Sequence, residues 1–262
     1  MKVETIEQNY AIAKARYAEF GIDTDKAIAE LEKTPISLHC WQADDVTGFE
    51  SNSALTGGIQ ATGNYPGKAR NIDELRQDIE KVQTLLAGNH RLNLHEIYGE
   101  FGGKFVDRDQ VEVSHFQGWI DWAKEHNLKL DFNSTSFSHP KSGDLSLANP
   151  DKAIRDFWIE HTKRCRRIAD AMGKAQGDPC IMNIWVHDGS KDLTVERYRY
   201  RQILKESLDE ILAEDLPHMK SCLEAKLFGI GLEAYTVGSH DFFAGYCSKN
   251  NAIYTLDTGH YE

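Results

Sequence analysis

The chain has 262 residues, 40% of them hydrophobic and 27% charged, and a formal net charge of −11. That acidic balance repels phosphate backbones and argues against nucleic acid as a partner. No apolar run approaches the roughly 20 residues that a bilayer-crossing helix needs, so no membrane partner is expected either.

In chain order, Thr5 to Glu32 reads as two helices separated by Gly21-Ile22-Asp23, a helical extension over residues 1–34. Its interspersed charges (Lys2, Glu4, Glu7, Lys14, Arg16) do not fit a secretory leader. A first strand is expected at Ile36–Trp41, after Pro35. Asp45 to Arg70 follows, a long loop rich in Gly and Asn, of the kind that connects a strand to a helix beside a site. Asp73–Leu86 repeats apolar residues at helical spacing and stops at Gly88. A second strand is read at Arg91–Ile97, a short helix at Phe116–His126, and a third strand at Leu128–Asn133. Pro150–Met172 is a long amphipathic helix with Pro150 in its first turn and Gly173 as its stop. A fourth strand at Cys180–Val186, a helix at Tyr198–Leu212, a fifth strand at Cys222–Phe228 and a sixth at Ala252–Asp257 complete the pattern.

Strand and helix alternate at βαβ spacing, with no Pro/Gly/Ser-rich linker, so residues 1–262 read as one α/β domain. Six strands fit a doubly wound open sheet as they stand, and a (β/α)8 barrel would need two more units; periodicity alone does not separate the two. The cysteines (Cys40, Cys165, Cys180, Cys222, Cys247) are odd in number and contain no Cys-x-x-Cys pair. That points away from a disulfide framework and towards a reducing, cytoplasmic compartment.

The strongest chemical signal is Glu224-Ala225-Lys226. On a strand these two charged side chains share a face, where a carboxylate and an ammonium inside a barrel would require a metal, a substrate or each other. An ion pair on a solvent-facing strand is an equally good reading. Asp257-Thr258-Gly259-His260 is the second signal: Asp ends a strand, Gly permits a sharp turn, and Asp with His are oxygen and nitrogen ligands for Mn, Mg, Co or Zn. His95 closes the second strand and Trp185 lies near the end of the fourth. Alone, each is more often a satisfied core residue, as are His39 and Trp41. His139 is read as a loop residue.

Taken together, several long strings resemble the L-rhamnose isomerase family, nearly throughout the chain. They are His39-Cys40-Trp41-Gln42-Ala43-Asp44-Asp45-Val46 with Gly48-Phe49-Glu50, Thr62-Gly63-Asn64-Tyr65-Pro66-Gly67-Lys68-Ala69, Asn93-Leu94-His95, Leu130-Asp131-Phe132-Asn133, Phe137-Ser138-His139-Pro140, Asn183-Ile184-Trp185, Glu224-Ala225-Lys226-Leu227-Phe228-Gly229 and Asp257-Thr258-Gly259-His260. The resemblance implies a (β/α)8 TIM barrel, incomplete here, with about six βα units plus the N-terminal helices. It implies a homotetramer and two divalent metals, usually Mn2+, with Co2+, Mg2+ or Zn2+ as substitutes. The implied reaction interconverts L-rhamnose and L-rhamnulose, a small-molecule sugar pair. By motif, Glu224 and Asp257 resemble ligands of the structural metal and His260 a ligand of the catalytic one. Lys226 resembles the lysine beside the substrate C1 oxygen, and His95 the histidine on the ring-oxygen side. Trp185 resembles the aromatic wall of the pocket, with Trp41 and Phe137 as further candidates. The family pattern continues beyond His260 with another His, an Asp-x-Asp pair and a later Asp, so the expectation is a C-terminally truncated barrel, inactive for want of those ligands. Glu262 stands where a second histidine would be expected. A sugar epimerase or a phosphodiester hydrolase on a related barrel is the alternative, the hydrolase disfavoured by the acidic surface.

Overall fold

A computed structural model describes residues 2–50, 66–192, 194–226 and 234–260. Two helices open it, α1 (Val3–Ala18) and α2 (Thr24–Leu31), the second capped by Asp23, which accepts from the Lys26 N–H. They pack on each other and bury no residue, leaving Ile6, Ile12, Phe20 and Leu31 exposed.

Among the described residues the strands are β1 (Ile36–His39), β2 (His90–His95), β3 (Lys129–Asn133), β4 (Cys180–Trp185), β5 (Gly189–Ser190), β6 (Met219–Glu224), β7 (Tyr235–Thr236) and β8 (Ile253–Thr255). The helices between them are α3 (Ile72–Gln83), α4 (Gln117–Glu125), α5 (Lys152–Gln176), α6 (Arg197–Leu212) and α7 (His240–Cys247). Six strands form one parallel sheet in the order β1-β2-β3-β4-β6-β8, while β5 and β7 make a small antiparallel ribbon. This order follows the chain without reversal. A doubly wound sheet reverses at a switch point, so the open-sheet alternative is excluded. Ser37 and His39 on β1 and Ile253 and Thr255 on β8 lie at opposite edges of the sheet yet line one hollow. The sheet therefore curls into a half-barrel, as expected for an incomplete TIM barrel.

Residue type explains the two faces. On β4, Cys180, Met182 and Ile184 are buried while Ile181, Asn183 and Trp185 between them are half-buried. The first set packs beneath α5, and Ile181 and Asn183 of the second line the hollow. Helix α5 supplies Trp158, His161, Cys165, Ile168 and Met172 from one stripe at helical spacing. Asp151 caps its start, accepting from the Ala153 N–H at 2.9 Å, and Gly177 closes it in the left-handed conformation.

Two boundaries differ most from the sequence reading. Helix α5 runs past Gly173 to Gln176, and Gly173 is there for close approach: a Cβ would stand 1.7 Å from the His218 carbonyl oxygen. The fifth large strand covers Met219–Glu224 rather than Cys222–Phe228, because its pairing with β4 and β8 ends at Glu224. Residues 227–233 lie outside the described residues, as do 51–65 of the loop after β1. Helix α7 was not anticipated.

Candidate active site

The hollow of the half-barrel holds about 780 Å³ and is lined by strand residues pointing inward. At the N-terminal end of the strands it is closed by charge pairing. Arg91 on β2 donates from Nε and Nη2 to the two oxygens of Asp131 on β3, both at 2.8 Å. Ser37 (2.7 Å) and the Ile181 N–H (2.9 Å) also donate to Asp131. Every oxygen of this carboxylate is engaged, so it is structural.

The C-terminal end differs. Parallel pairing places Glu224 of β6 beside Thr255 of β8, and Asp257 follows two residues on. Glu224 and Asp257 line the same hollow. Burial pushes the Glu224 carboxyl up to about 7; the Asn183 amide opposes this by donating to Oε2, and Asp257 adds to it by its charge and a shared hydrogen bond. Two crowded carboxyls cannot both ionise cheaply without a cation between them. Their oxygens suit a hard divalent metal ion. Asn183 Oδ1, buried beside them, has no hydrogen-bond partner. His39, at the end of β1, feels Asp257 across the hollow, yet burial holds its imidazole below the usual range. His260 ends a short turn after Asp257, and its side chain lies outside the described residues. Among the described residues no three His, Cys, Asp or Glu side chains converge as a metal cage.

Next to the acids lies an aromatic group. His95 ends β2, with its ring centroid 4.2 Å from Trp41 and 5.8 Å from His39. Burial, then the neighbouring His39, keeps His95 far below the usual imidazole range, so it is neutral. Its Nδ1 is 3.4 Å from the Thr135 hydroxyl, while its Nε2 and the Trp41 Nε1 are buried without a partner. Buried polar atoms without partners call for a polar ligand or ordered water.

Lys226 lies beyond the end of β6, so strand alternation does not set its direction. Its ammonium is buried, donates to the His187 carbonyl oxygen, and sits 5.6 Å above the Trp185 ring. Phe137 meets Trp185 edge-to-face at 5.6 Å. The residues singled out from sequence thus fall into three neighbouring groups: Glu224 with Asp257, His95 with Trp41, and Lys226 with Trp185 and Phe137. A second hollow of about 670 Å³ near α3 holds Arg70 and Arg76, each already paired with a glutamate.

The L-rhamnose isomerase family model matches residues 4–262. The chain belongs to the L-rhamnose isomerase family. An L-rhamnose isomerase of Bacteroides thetaiotaomicron is 67% identical over 262 residues, covering 100% of this chain and 63% of that protein. One of Mannheimia succiniciproducens is 51% identical, covering 99% of this chain and 63% of its own length. One of Rhodopirellula baltica is also 51% identical, over 98% and 61%. The chain thus spans about 63% of the length of the curated relatives it matches. Within this family frame, sequence reasoning missed His39 and Asn183. Both were legible as inward positions: His39 ends a strand, and Asn183 stands two residues before Trp185 on the same face.

Proposed function

We propose that this chain provides the first part of an aldose–ketose isomerase site that interconverts L-rhamnose and L-rhamnulose. The observation that carries the reading is the pair Glu224 and Asp257 at the C-terminal mouth of the half-barrel, with Glu224 pushed up to about 7. In barrels of this kind that end is where chemistry is done. Glu224 and Asp257 would hold one divalent metal ion, and His260 would help hold a second; Mn2+ is the favoured ion, with Co2+, Mg2+ or Zn2+ as substitutes. When bound, such ions supply Lewis acidity, polarising a carbonyl and favouring ionisation of a hydroxyl.

The reaction moves one hydrogen from C2 to C1 of the open-chain sugar and one proton from O2 to O1. Negative charge develops on oxygen during the shift, and the Lys226 ammonium adds positive charge at the C1 end. Held by the His187 carbonyl and the Trp185 face, Lys226 needs little reorganisation to do so. Neutral His95, with Nε2 unpartnered, can hydrogen-bond a sugar oxygen on the ring-oxygen side, and Trp41 Nε1 can donate to another. Trp185 and Phe137 form an apolar wall against which the 6-methyl of a deoxy sugar gains about 1 kcal/mol.

A homotetramer fits the unburied apolar residues of α1 and α2, which a neighbouring subunit would cover. A cytoplasmic site of action fits the five free thiols. No helix among the described residues is long and apolar enough to cross a membrane.

The test is conversion of L-rhamnose by Mn2+-loaded protein that contains this sequence and spans the full length of its relatives, with ketose formation measured directly, alongside Glu224→Gln. The reading expects turnover by that parent protein, loss of turnover in Glu224→Gln and weaker Mn2+ binding by calorimetry. Full turnover in Glu224→Gln removes Glu224 from the site. A ketose epimer as the product would favour an epimerase instead.

A further inference from the structure

Behind the aromatic wall lies a buried charge cluster that the proposed chemistry does not use. Arg108, in a short turn between β2 and α4, is only 1% exposed. Its Nε and Nη2 donate to the two oxygens of Glu50, both at 2.9 Å, in a bidentate pair. Its Nη1 donates to two backbone carbonyls of the loop after β3: Thr135 at 2.8 Å and Phe137 at 2.7 Å. Glu96 lies 3.6 Å away, and burial followed by the charge of Glu50 keeps its carboxyl well above the usual range. Glu50 therefore takes the guanidinium in the bidentate pair, and Glu96 stands outside it.

The same loop is fixed from its other sides. His161 on α5 donates from Nδ1 to the Arg108 carbonyl oxygen at 3.0 Å, and its Nε2 accepts from the Thr135 N–H at 3.3 Å. The Ser136 hydroxyl donates to the Trp185 carbonyl oxygen at 3.3 Å. One guanidinium thus ties the segment leaving β1, through Glu50, to the segment that presents Phe137 to Trp185.

A buried Arg–Glu pair is weak evidence for stability, since apolar residues of similar volume often serve as well. What an apolar residue cannot do is hold two carbonyls and a carboxylate at fixed angles. Lysine cannot either, because it lacks the planar fork.

We propose that Arg108 is a positioning residue for substrate specificity: it sets Phe137 against Trp185 and so shapes the pocket end that takes the deoxy terminus of the sugar. This rests on the reading of Phe137 and Trp185 as the sugar-facing wall. Arg108 touches neither substrate nor reacting atoms. Its loss relaxes selection at the sugar terminus rather than abolishing the hydrogen shift.

The test compares kcat/KM for L-rhamnose with that for its 6-hydroxy counterpart, L-mannose, in Mn2+-loaded protein that contains this sequence and spans the full length of its relatives. Phe137→Ala, Arg108→Met, Arg108→Lys and Glu50→Gln are each measured, with melting temperatures alongside. A hydroxyl added against an apolar wall is discriminated by up to about 100-fold. Phe137→Ala and Arg108→Met are expected to shrink that ratio by about tenfold; in Arg108→Met the change falls on KM for L-rhamnose, with kcat changed less than threefold. Arg108→Lys and Glu50→Gln fall between these and the parent. They carry the test if Arg108→Met does not fold. An unchanged ratio in Phe137→Ala overturns the wall and the proposal with it. A reduced ratio in Phe137→Ala but parental ratios in folded Arg108→Lys and Glu50→Gln overturns the role of Arg108 alone. A loss confined to kcat, equal for both sugars, also overturns it.

Discussion

Glu224→Gln separates the cost of an unneutralised acid pair from its use. In the metal-free protein the Glu224 carboxyl is pushed from its usual 4.5 up to about 7, mainly by burial. Below pH 4.5 it is protonated whether the chain is folded or unfolded, and it contributes nothing to pH dependence. Between pH 4.5 and 7 the unfolded chain releases the proton while the folded chain keeps it, so stability falls as pH rises. Above pH 7 the full cost is present, about 3 kcal/mol at 1.36 kcal/mol for each pH unit separating the two states. Glutamine keeps an oxygen to accept from Asn183 and cannot ionise. The metal-free Glu224→Gln protein should match the parent near pH 4.5 and exceed it by about 3 kcal/mol at pH 8, roughly 6–12 °C in melting temperature. Circular-dichroism melts across that pH range read this directly.

The same group links metal binding to protons. A carboxyl must be ionised to ligate. With a pKa of about 7, Glu224 is about 90% protonated at pH 6 and about 10% at pH 8. Mn2+ binding should therefore release close to one proton at pH 6 and few at pH 8, read by calorimetry in buffers of different ionisation enthalpy. Glu224→Gln should abolish the release. A Glu224→Gln stability difference that is flat between pH 5 and 8, or proton release independent of pH, would refute the crowded-acid reasoning.

Three further outcomes are expected. Gly173→Ala should destabilise by about 3 kcal/mol in urea unfolding, since the steric clash outweighs a helix-propensity gain of about 1 kcal/mol. Its Cβ would stand 1.7 Å from the His218 carbonyl oxygen, so a neutral or stabilising result contradicts that packing. Asp131→Asn should cost about 3 kcal/mol or more by leaving the Arg91 guanidinium buried without its main carboxylate; a loss below 1 kcal/mol would show the pair is dispensable. Lys226→Met should leave Mn2+ affinity within about threefold of the parent but lower kcat by about 100-fold or more; loss of metal binding instead would put Lys226 in the metal's environment.

Strand existence was legible because each inner strand ends an apolar run with a polar or aromatic residue: His39, His95, Asn133, Trp185, Glu224. Their arrangement was not, since periodicity reads the faces of a strand and not its neighbours. The topology decides it, and with it the meeting of Glu224 and Asp257, which depends on β6 pairing with β8. Helix α7 escaped notice because His240–Cys247 is short and carries Phe242, Phe243 and Tyr246 with a Gly at 245, a composition that reads equally as strand. Glu224 and Lys226 do not share a strand face as the sequence led one to expect, for a local reason. The strand stops between them, and the lysine finds the His187 carbonyl and the Trp185 ring instead. Arg108 gave no sequence signal, because its importance lies in two backbone carbonyls that only the folded loop after β3 presents.

The two ends of the half-barrel treat buried charge in opposite ways, and the contrast supports the proposed placing of the site at the C-terminal end. At the N-terminal end Arg91 and Asp131 neutralise each other with every oxygen bonded, as a polar barrel interior requires if it is to be stable. At the C-terminal end Glu224 and Asp257 crowd one another, and Asn183 Oδ1, His95 Nε2 and Trp41 Nε1 lack partners. The same strands carry both arrangements, so the sheet could have satisfied the upper groups as it satisfies the lower ones. Unspent hydrogen-bonding capacity concentrated at one end of a rigid sheet is a cost in stability that a bound cation and a polyhydroxylated ligand would remove. Ligand binding should therefore stabilise this protein most where its own side chains stabilise it least. Hydrogen exchange makes that local: addition of Mn2+ and L-rhamnose should protect the amides at Asn183–Trp185 and Cys222–Glu224 far more than those at Arg91 or Ile181. Equal protection at both ends would mean that the ligand acts on the global fold, and that the asymmetry of the charges has no bearing on binding.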